Sequence, residues 1–252
     1  MSGPSTLELR DELARLATRF RLPTISKELG PLLLETGHEE ALKLVHEVFV
    51  AEADDRLERR VERLRQQSRL PPGKTFDTLD DKLLPRPLAT KLRQLGDGAF
   101  LERAVNVLAF GLPGTGKTHA AAAIGHKLVQ QGHRVLFTPT YRLVQDLLAA
   151  KRDLELPRAL RKLDSYELLI LDDIGYVQQD ADEIEVLFPL MAERYERRSM
   201  LITSNLVFSE WDKIFKNPMT TAAAVDRLVH HSVILEFDVE SFRSAKKRTT
   251  KK

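Results

Sequence analysis

A chain of 252 residues, 42% of them hydrophobic, can bury a core in one large domain or in a main domain with a smaller one. It contains no cysteine, which excludes disulfides and cysteine-ligated zinc sites. Its 39 Lys and Arg against 37 Asp and Glu leave a net charge of only +2, and a balance this close to neutral does not indicate a nucleic-acid partner. No apolar stretch approaches the roughly 20 residues that cross a bilayer, and Met1–Ser5 lacks the order of a signal peptide, so we expect a soluble cytoplasmic protein with no membrane partner.

The N-terminal part of the chain has the pattern of a small helical domain. Ser5-Thr-Leu-Glu8 matches a capping box and begins a short amphipathic helix. A second helical piece follows around 25–34, and we expect Gly30-Pro31 to interrupt it. A long helix then covers about 38–69, and its far half alternates acids and arginines, which is typical of a solvated helix on a neighbour, with a DNA-facing surface as the alternative. We predict a helical domain over 1–74 that binds a partner or DNA.

The rest of the chain alternates between apolar strands and helices. The polar stretch 74–87 follows two prolines and predicts either a linker or a wrap over the next domain. Five strands separated by helices predict an α/β domain, over 75–242, with a five-stranded parallel sheet covered on both faces. The final segment 243–252 is basic and is either a flexible arm beside a polyanion or a solvated tail. The strands are expected at 105–110, 135–138, 168–171, 200–203 and 233–237.

The first of these strands runs directly into a phosphate-binding loop. The segment Gly111-Leu-Pro-Gly-Thr-Gly-Lys117-Thr118 matches the P-loop pattern G-x-x-x-x-G-K-[ST]. Its glycines let backbone amides approach a polyphosphate, Lys117 reaches the β and γ phosphates, and Thr118 ligates Mg²⁺. A similar turn at Gly73-Lys-Thr75 has no strand before it and does not fit. The predicted nucleoside triphosphate site consists of Gly111, Leu112, Pro113, Gly114, Thr115, Gly116, Lys117, Thr118 and His119.

A pair of acids ends the third predicted strand. In Glu167-Leu-Leu-Ile-Leu-Asp172-Asp173 the carboxylates follow an apolar run, and the carboxyl ends of parallel strands form the ligand edge of a sheet. We therefore expect the pair to face the P-loop. Asp172 would hold Mg²⁺ directly or through water, and Asp173 would orient or deprotonate the attacking water. A helix cap or turn is the purely structural alternative.

One strand and one helix separate the P-loop strand from the Asp172 strand, which is the topology of the additional-strand NTPases, a class that includes the AAA+ ATPases. Asn205, at the end of the next strand, resembles the sensor amide of AAA+ proteins, which holds the hydrolytic water or the γ-phosphate. Arg227 resembles the arginine finger that reaches a neighbouring subunit's γ-phosphate; an ion pair with Asp226 or another nearby acid is the alternative. Arg243 is a weaker candidate for a second phosphate sensor. We expect no separate lid domain after the last strand.

Taken together, these motifs and the run Asp226-Arg-Leu-Val-His-His231 resemble the IstB-like ATP-binding proteins, and more distantly the helicase loaders of the DnaC type. The resemblance implies a homo-oligomeric ATPase that uses ATP and Mg²⁺, with ATP at subunit interfaces. It also implies binding to duplex DNA, selection of the insertion target and stimulation of a cognate transposase. A replicative helicase loader is the alternative function. A small-molecule kinase and a DNA-binding scaffold that only holds ATP remain further alternatives.

The resemblance also places DNA contacts in an inserted segment, 141–164, which Pro157 divides into two helices. One position departs from the wider class, because Asp173 stands where many AAA+ ATPases carry glutamate. Aspartate is shorter by one methylene, and a misplacement of about 1 Å costs on the order of 10²-fold in rate, so we predict slow, DNA-stimulated hydrolysis. The predicted DNA-binding residues are Lys151, Arg152, Arg158, Arg161 and Lys162.

Overall fold

The computed structural model describes residues 4–80, 83–176, 181–206, 228–239 and 241. Internal contacts divide the chain into two compact units, Met1–Glu62 and Arg63–Lys252. Among the described residues, none of the helices combines the length and the apolar character that a membrane span requires.

The first unit consists of helices. They are α1 (Thr6–Arg19), α2 (Pro23–Glu35) and the greater part of α3 (Glu39–Ser68). The predicted capping box is confirmed, since the Glu8 amide donates to Ser5 Oγ at 3.3 Å and the Ser5 amide donates to Glu8 Oε2 at 2.7 Å. The core of the unit is formed by Leu9, Leu13 and Leu42.

The expected interruption of α2 at Gly30-Pro31 is wrong, because the helix continues through Pro31. Packing explains the continuity. A Cβ on Gly30 would lie 2.6 Å from Cγ of Arg10, so the missing side chain lets α1 and α2 approach closely. Burial of Leu29, Leu33 and Leu34 against the core then offsets the backbone hydrogen bond that a proline removes.

The second unit is built on a five-stranded sheet in the order β2-β3-β4-β1-β5. All four strand pairs are parallel, so the predicted α/β class and parallel sheet are confirmed. The central strands are apolar on both faces, as expected for a sheet covered on both sides. The strands are β1 (Asn106–Gly111), β2 (Val135–Pro139), β3 (Leu168–Asp172), β4 (Ser199–Ser204) and β5 (Ser232–Phe237). The helices are α4 (Arg86–Gly96), α5 (Ala99–Glu102), α6 (Lys117–Gln130), α7 (Thr140–Arg152), α8 (Leu156–Asp164) and α9 (Ala181–Arg194), with a 3-10 turn at Ile174–Tyr176.

The inserted segment forms two joined helices, α7 and α8, as predicted. Pro157 lies in the first turn of α8, where its missing amide costs no helical bond. The break itself is made by Leu154, which has a left-handed φ of 59°. In α8, Leu160 and Leu163 are buried, so the basic residues lie on the opposite face.

The stretch that precedes the sheet wraps over α6 and is not a free linker. Nε2 of His126 lies 3.0 Å from the Pro71 carbonyl oxygen, and Nε2 of His119 lies 3.0 Å from that of Thr75. A Cβ on Gly125 would meet Cδ2 of Leu70 at 2.6 Å. These contacts explain why 63–74 groups with the sheet unit, although residue 74 as the end of the functional N-terminal domain stays a prediction.

Candidate functional site

The P-loop connects β1 to α6 at the carboxyl edge of the sheet. Gly116 precedes α6 with a φ of 95°, a conformation that disfavours any other residue. Gly111 pairs with Phe237 of β5, and a Cβ on it would lie 2.6 Å from the Phe237 carbonyl oxygen. The loop therefore requires glycine at both positions, for two different reasons.

Lys117 lies at the centre of the loop. Its side chain is buried, and Nζ donates to the carbonyl oxygens of Gly111 at 2.6 Å and Leu112 at 2.9 Å. The Thr115 hydroxyl closes the same turn by donating to the Leu112 carbonyl oxygen at 2.8 Å. The structure thus places a fixed positive charge within the loop that the sequence predicts to hold phosphates.

One hydroxyl orients both acids of the Asp-Asp pair. The Thr203 side chain, which is buried, donates to Oδ1 of Asp172 at 2.8 Å and accepts a hydrogen bond from the Asp173 amide at 2.8 Å. The pairing of Leu171 with Ile202 across β3 and β4 brings Asp172 and Thr203 side by side. Sequence reasoning missed Thr203 as an individual residue, although it noted a polar cluster at the end of this strand.

Asp173 has three properties that are uncommon for a carboxylate. Its φ is 61°, in the left-handed region. Its Oδ1 is buried without a hydrogen-bond partner among the described residues. Burial, together with the charge of Asp172, raises the pKa of Asp173, and Lys117 lowers it by a smaller amount. Backbone strain, an unpaired polar atom and a raised pKa in one residue are characteristic of functional sites.

The donor set fits a magnesium ion that accompanies a nucleotide. Mg²⁺ prefers hard oxygen ligands and usually binds through one or two protein groups together with substrate phosphates. Asp172 supplies a half-buried carboxylate at the end of β3, and Thr118 supplies a half-buried hydroxyl in the first turn of α6. The roles of these two residues in holding Mg²⁺ stay predictions.

Asn205 follows β4 and lies beside the P-loop. It lines a cavity of about 370 Å³ together with Gly111, Leu112 and residues 237–239, where β5 ends. The structure therefore brings this amide to the ligand edge, as the sequence predicts, while its role as a sensor stays a prediction.

The two arginines predicted to act on phosphate, Arg227 and Arg243, lie outside the described residues. The residue after Arg227 is described, however. Leu228 is buried in the main core, and its carbonyl oxygen accepts a hydrogen bond from Nδ2 of Asn106 at 3.4 Å. The chain is therefore anchored to the sheet immediately after Arg227.

The predicted DNA-binding residues lie on the inserted helices. Lys151 is half-buried, whereas Arg152, Arg158, Arg161 and Lys162 are exposed. Arg158 approaches Glu155 at 3.6 Å, and both side chains remain mostly exposed, so this ion pair contributes little stability. The structure shows an accessible basic surface here, and its contact with DNA stays a prediction.

Comparisons with known proteins identify the family of this chain. The family model described as IstB-like ATP binding protein matches residues 29–250. An insertion sequence ATP-binding protein of Sinorhizobium fredii is 46% identical over 228 residues, which is 89% of this chain and 76% of the relative. The chain belongs to the IstB-like ATP-binding family, as its motifs predict.

Solved structures show the same fold at low sequence identity. AMPPCP-bound DnaA from Aquifex aeolicus superposes with a TM-score of 0.58 at 16% identity, covering 73% of this chain and 57% of that chain. The DnaC helicase loader gives a TM-score of 0.53 at 20% identity, covering 61% of this chain and 89% of the loader. These likenesses show the fold alone, and they confirm the predicted fold class. Membership of the family identifies the chain as an ATP-binding P-loop ATPase.

Proposed function

We propose that this protein is a helper ATPase of insertion-sequence transposition. In this proposal, ATP-bound copies assemble on duplex DNA, help to select the target site and stimulate a cognate transposase. One observation carries the proposal. In a chain of the IstB-like family, the Thr203 hydroxyl beside the P-loop forms hydrogen bonds with both Asp172 and Asp173. Names of relatives support the association with insertion sequences.

Lys117 and Thr118 bind the triphosphate from the loop side of the site. Lys117 is already held near the loop carbonyls, so it needs little reorganisation to contact the β and γ phosphates. Thr118 and Asp172 would hold Mg²⁺, which when bound neutralises charge on the phosphate oxygens. Thr203 keeps the Asp172 carboxylate in one orientation for that role.

Asp173 orients the attacking water and accepts its proton. A carboxylate with a raised pKa is a stronger base than an ordinary aspartate, and the unpaired Oδ1 can accept a hydrogen bond from water. Asn205 holds the water or the γ-phosphate from the adjacent strand. Because an aspartate reaches less far than the usual glutamate, hydrolysis is slow, and the ATP-bound assembly persists on DNA.

The basic surface of α7 and α8 contacts the DNA backbone. On α8, Arg158, Arg161 and Lys162 are spaced three and four residues apart, so they lie on one helical face. If five residues per subunit neutralise phosphates, affinity falls by about 10² to 10³ between 50 and 200 mM salt. Such contacts do not read base edges, so sequence preference is weak.

Arg227 completes the site of a neighbouring subunit, which makes hydrolysis depend on assembly. A finger of this kind is worth about 10³ to 10⁵ in rate. Arg243 and the basic tail 243–252 add positive charge near nucleotide or DNA, and the helical domain over 1–74 binds the partner or DNA.

The test compares the ATPase rate with and without duplex DNA. Wild type is expected to be stimulated by DNA, Lys117→Ala to lose ATP binding, and glutamate substitutions at 158, 161 and 162 to lose stimulation while keeping basal hydrolysis. A matched control reverses the exposed charges of Arg86, Arg103 and Lys127, which lie outside the basic surface. Equal wild-type rates with and without DNA would favour a scaffold or a kinase and contradict the proposal.

A helicase loader of the DnaC type is the second candidate, which the fold likeness to the DnaC helicase loader supports. Both functions use the same ATPase core. Co-purification decides between them, since capture of a transposase supports the first and capture of a replicative helicase supports the second.

A further inference from the structure

We propose that Glu196, His230 and His231 form a site for a transition-metal ion of the zinc class. The three residues are far from the nucleotide site. Glu196 precedes β4, and the two histidines precede β5, whereas the P-loop follows β1. Since all the strands are parallel, these three residues lie at the amino edge of the sheet and the P-loop lies at the carboxyl edge.

The geometry brings three ligand atoms together. Each residue offers one atom, and these atoms all lie within 4.8 Å of one another. Nε2 of His231 lies 3.6 Å from Oε1 of Glu196. Zinc bonds of about 2.0–2.1 Å in a tetrahedron separate neighbouring ligand atoms by about 3.3 Å, so small rotations of exposed side chains complete the site. In the part of the chain that the structure describes, no other group of histidines and acids meets this criterion.

The backbone holds these ligands in place. The His231 carbonyl oxygen accepts a hydrogen bond from the Asn106 amide at 2.8 Å, which fixes the entry to β5. The Tyr195 hydroxyl lies 3.2 Å from Nδ1 of His230, a contact of the kind that orients metal-binding imidazoles. Glu196 has a φ of 55°, which a tight turn between α9 and β4 imposes. The ligands therefore come from two ordered turns and not from flexible chain.

The chemistry of the donors selects the class of ion. Two imidazoles and one carboxylate suit zinc, nickel or copper better than magnesium or calcium, which prefer oxygen alone. An ion pair is the simpler role for His231 and Glu196. Both side chains are about half exposed, however, so such a pair contributes little stability, and it leaves unused the ligand atom that His230 offers.

A bound ion would tie the turn before β4 to the segment that enters β5. That segment includes Leu228, the residue after Arg227, so the ion would stiffen the attachment of the predicted arginine finger. Only this last consequence rests on the proposed function, and metal binding itself does not.

The test titrates Zn²⁺ into the full chain, purified without a histidine tag and freed of metal with a chelator, in the absence of nucleotide. Calorimetry is expected to show one Zn²⁺ per chain with a micromolar or tighter Kd. Co²⁺ is expected to give the visible absorption of a tetrahedral site. His231→Ala and Glu196→Gln are expected to weaken binding at least tenfold, and circular dichroism checks that both variants fold.

His133→Ala is the matched control. His133 also pairs with a glutamate, with Nδ1 lying 2.8 Å from Oε2 of Glu167, but this pair has no second histidine. This variant is expected to bind Zn²⁺ as wild type does. Equal Zn²⁺ affinity in wild type and His231→Ala would overturn the proposal, as would the absence of binding in wild type. Lys117→Ala is expected to lose ATP while keeping Zn²⁺, so a failed metal site and a failed nucleotide site are distinguishable.

Discussion

Replacing Asp173 with asparagine should separate the stability of the site from its activity. At neutral pH the charged carboxylate is partly buried and lies near Asp172, and its Oδ1 has no hydrogen-bond partner in the described part of the chain. Asparagine has nearly the same shape, tolerates the left-handed backbone and carries no charge. We therefore expect Asp173→Asn to unfold at a higher denaturant concentration than wild type while losing ATP hydrolysis.

The sign of the stability change follows from the direction of the pKa shift. A carboxyl whose pKa is raised in the folded state stabilises the fold when protonated, and this contribution is lost as pH rises through the folded pKa. At neutral pH the charge therefore costs stability. One pKa unit corresponds to about 1.4 kcal/mol, and solvent screening of a half-exposed group reduces the gain expected from the substitution to about 1 kcal/mol or less. Loss of the base should lower the hydrolysis rate by about 10² to 10⁴.

The assays are chemical denaturation from pH 5 to 8 and single-turnover ATP hydrolysis. The stability difference between the variant and wild type should shrink as pH falls towards the raised pKa of Asp173. Asp146→Asn, at an exposed position on α7, is the control and should change neither quantity. If Asp173→Asn is less stable than wild type at neutral pH, or hydrolyses ATP at the wild-type rate, the assignment of Asp173 as a strained base is wrong.

Three further substitutions test the structure around this site. Thr203→Val removes the hydroxyl that joins the two acids and should lower hydrolysis at least tenfold in a steady-state assay, whereas Thr203→Ser should retain most activity. Leu154→Gly should raise the free energy of unfolding by up to about 1 kcal/mol. The leucine side chain is 91% exposed, so no burial offsets the strain of its left-handed φ of 59°, which glycine adopts freely. An unchanged or lower denaturation midpoint would contradict this. Arg194→Met should destabilise the fold by about 3 kcal/mol or more, since the buried guanidinium donates to carbonyl oxygens of three segments, and the exposed Arg198→Met should have little effect.

Much of this site could be predicted because its signals are local in sequence. The P-loop and the Asp-Asp pair are contiguous motifs at strand ends, and the parallel sheet places both at one edge. The orientation of the acids could not be predicted, because it depends on which residue of β4 lies opposite Asp172. Helix α2 was predicted to break at Pro31 because local propensity ignores the close packing that Gly30 allows. The metal cluster was missed because Glu196 and the two histidines are separated by more than thirty residues.

Thr203 connects the two requirements of the site, which otherwise conflict. In the proposed roles, the metal-binding acid needs a fixed orientation, while the neighbouring base needs a raised pKa and a free oxygen. One buried hydroxyl serves both roles, since it donates to the Asp172 carboxylate and accepts a hydrogen bond from the backbone amide of Asp173. Among the described residues, Oδ1 of Asp173 is left without a hydrogen bond that would lower its pKa. The two adjacent carboxylates thus acquire different environments, which is the physical basis for assigning them different roles in ATP hydrolysis.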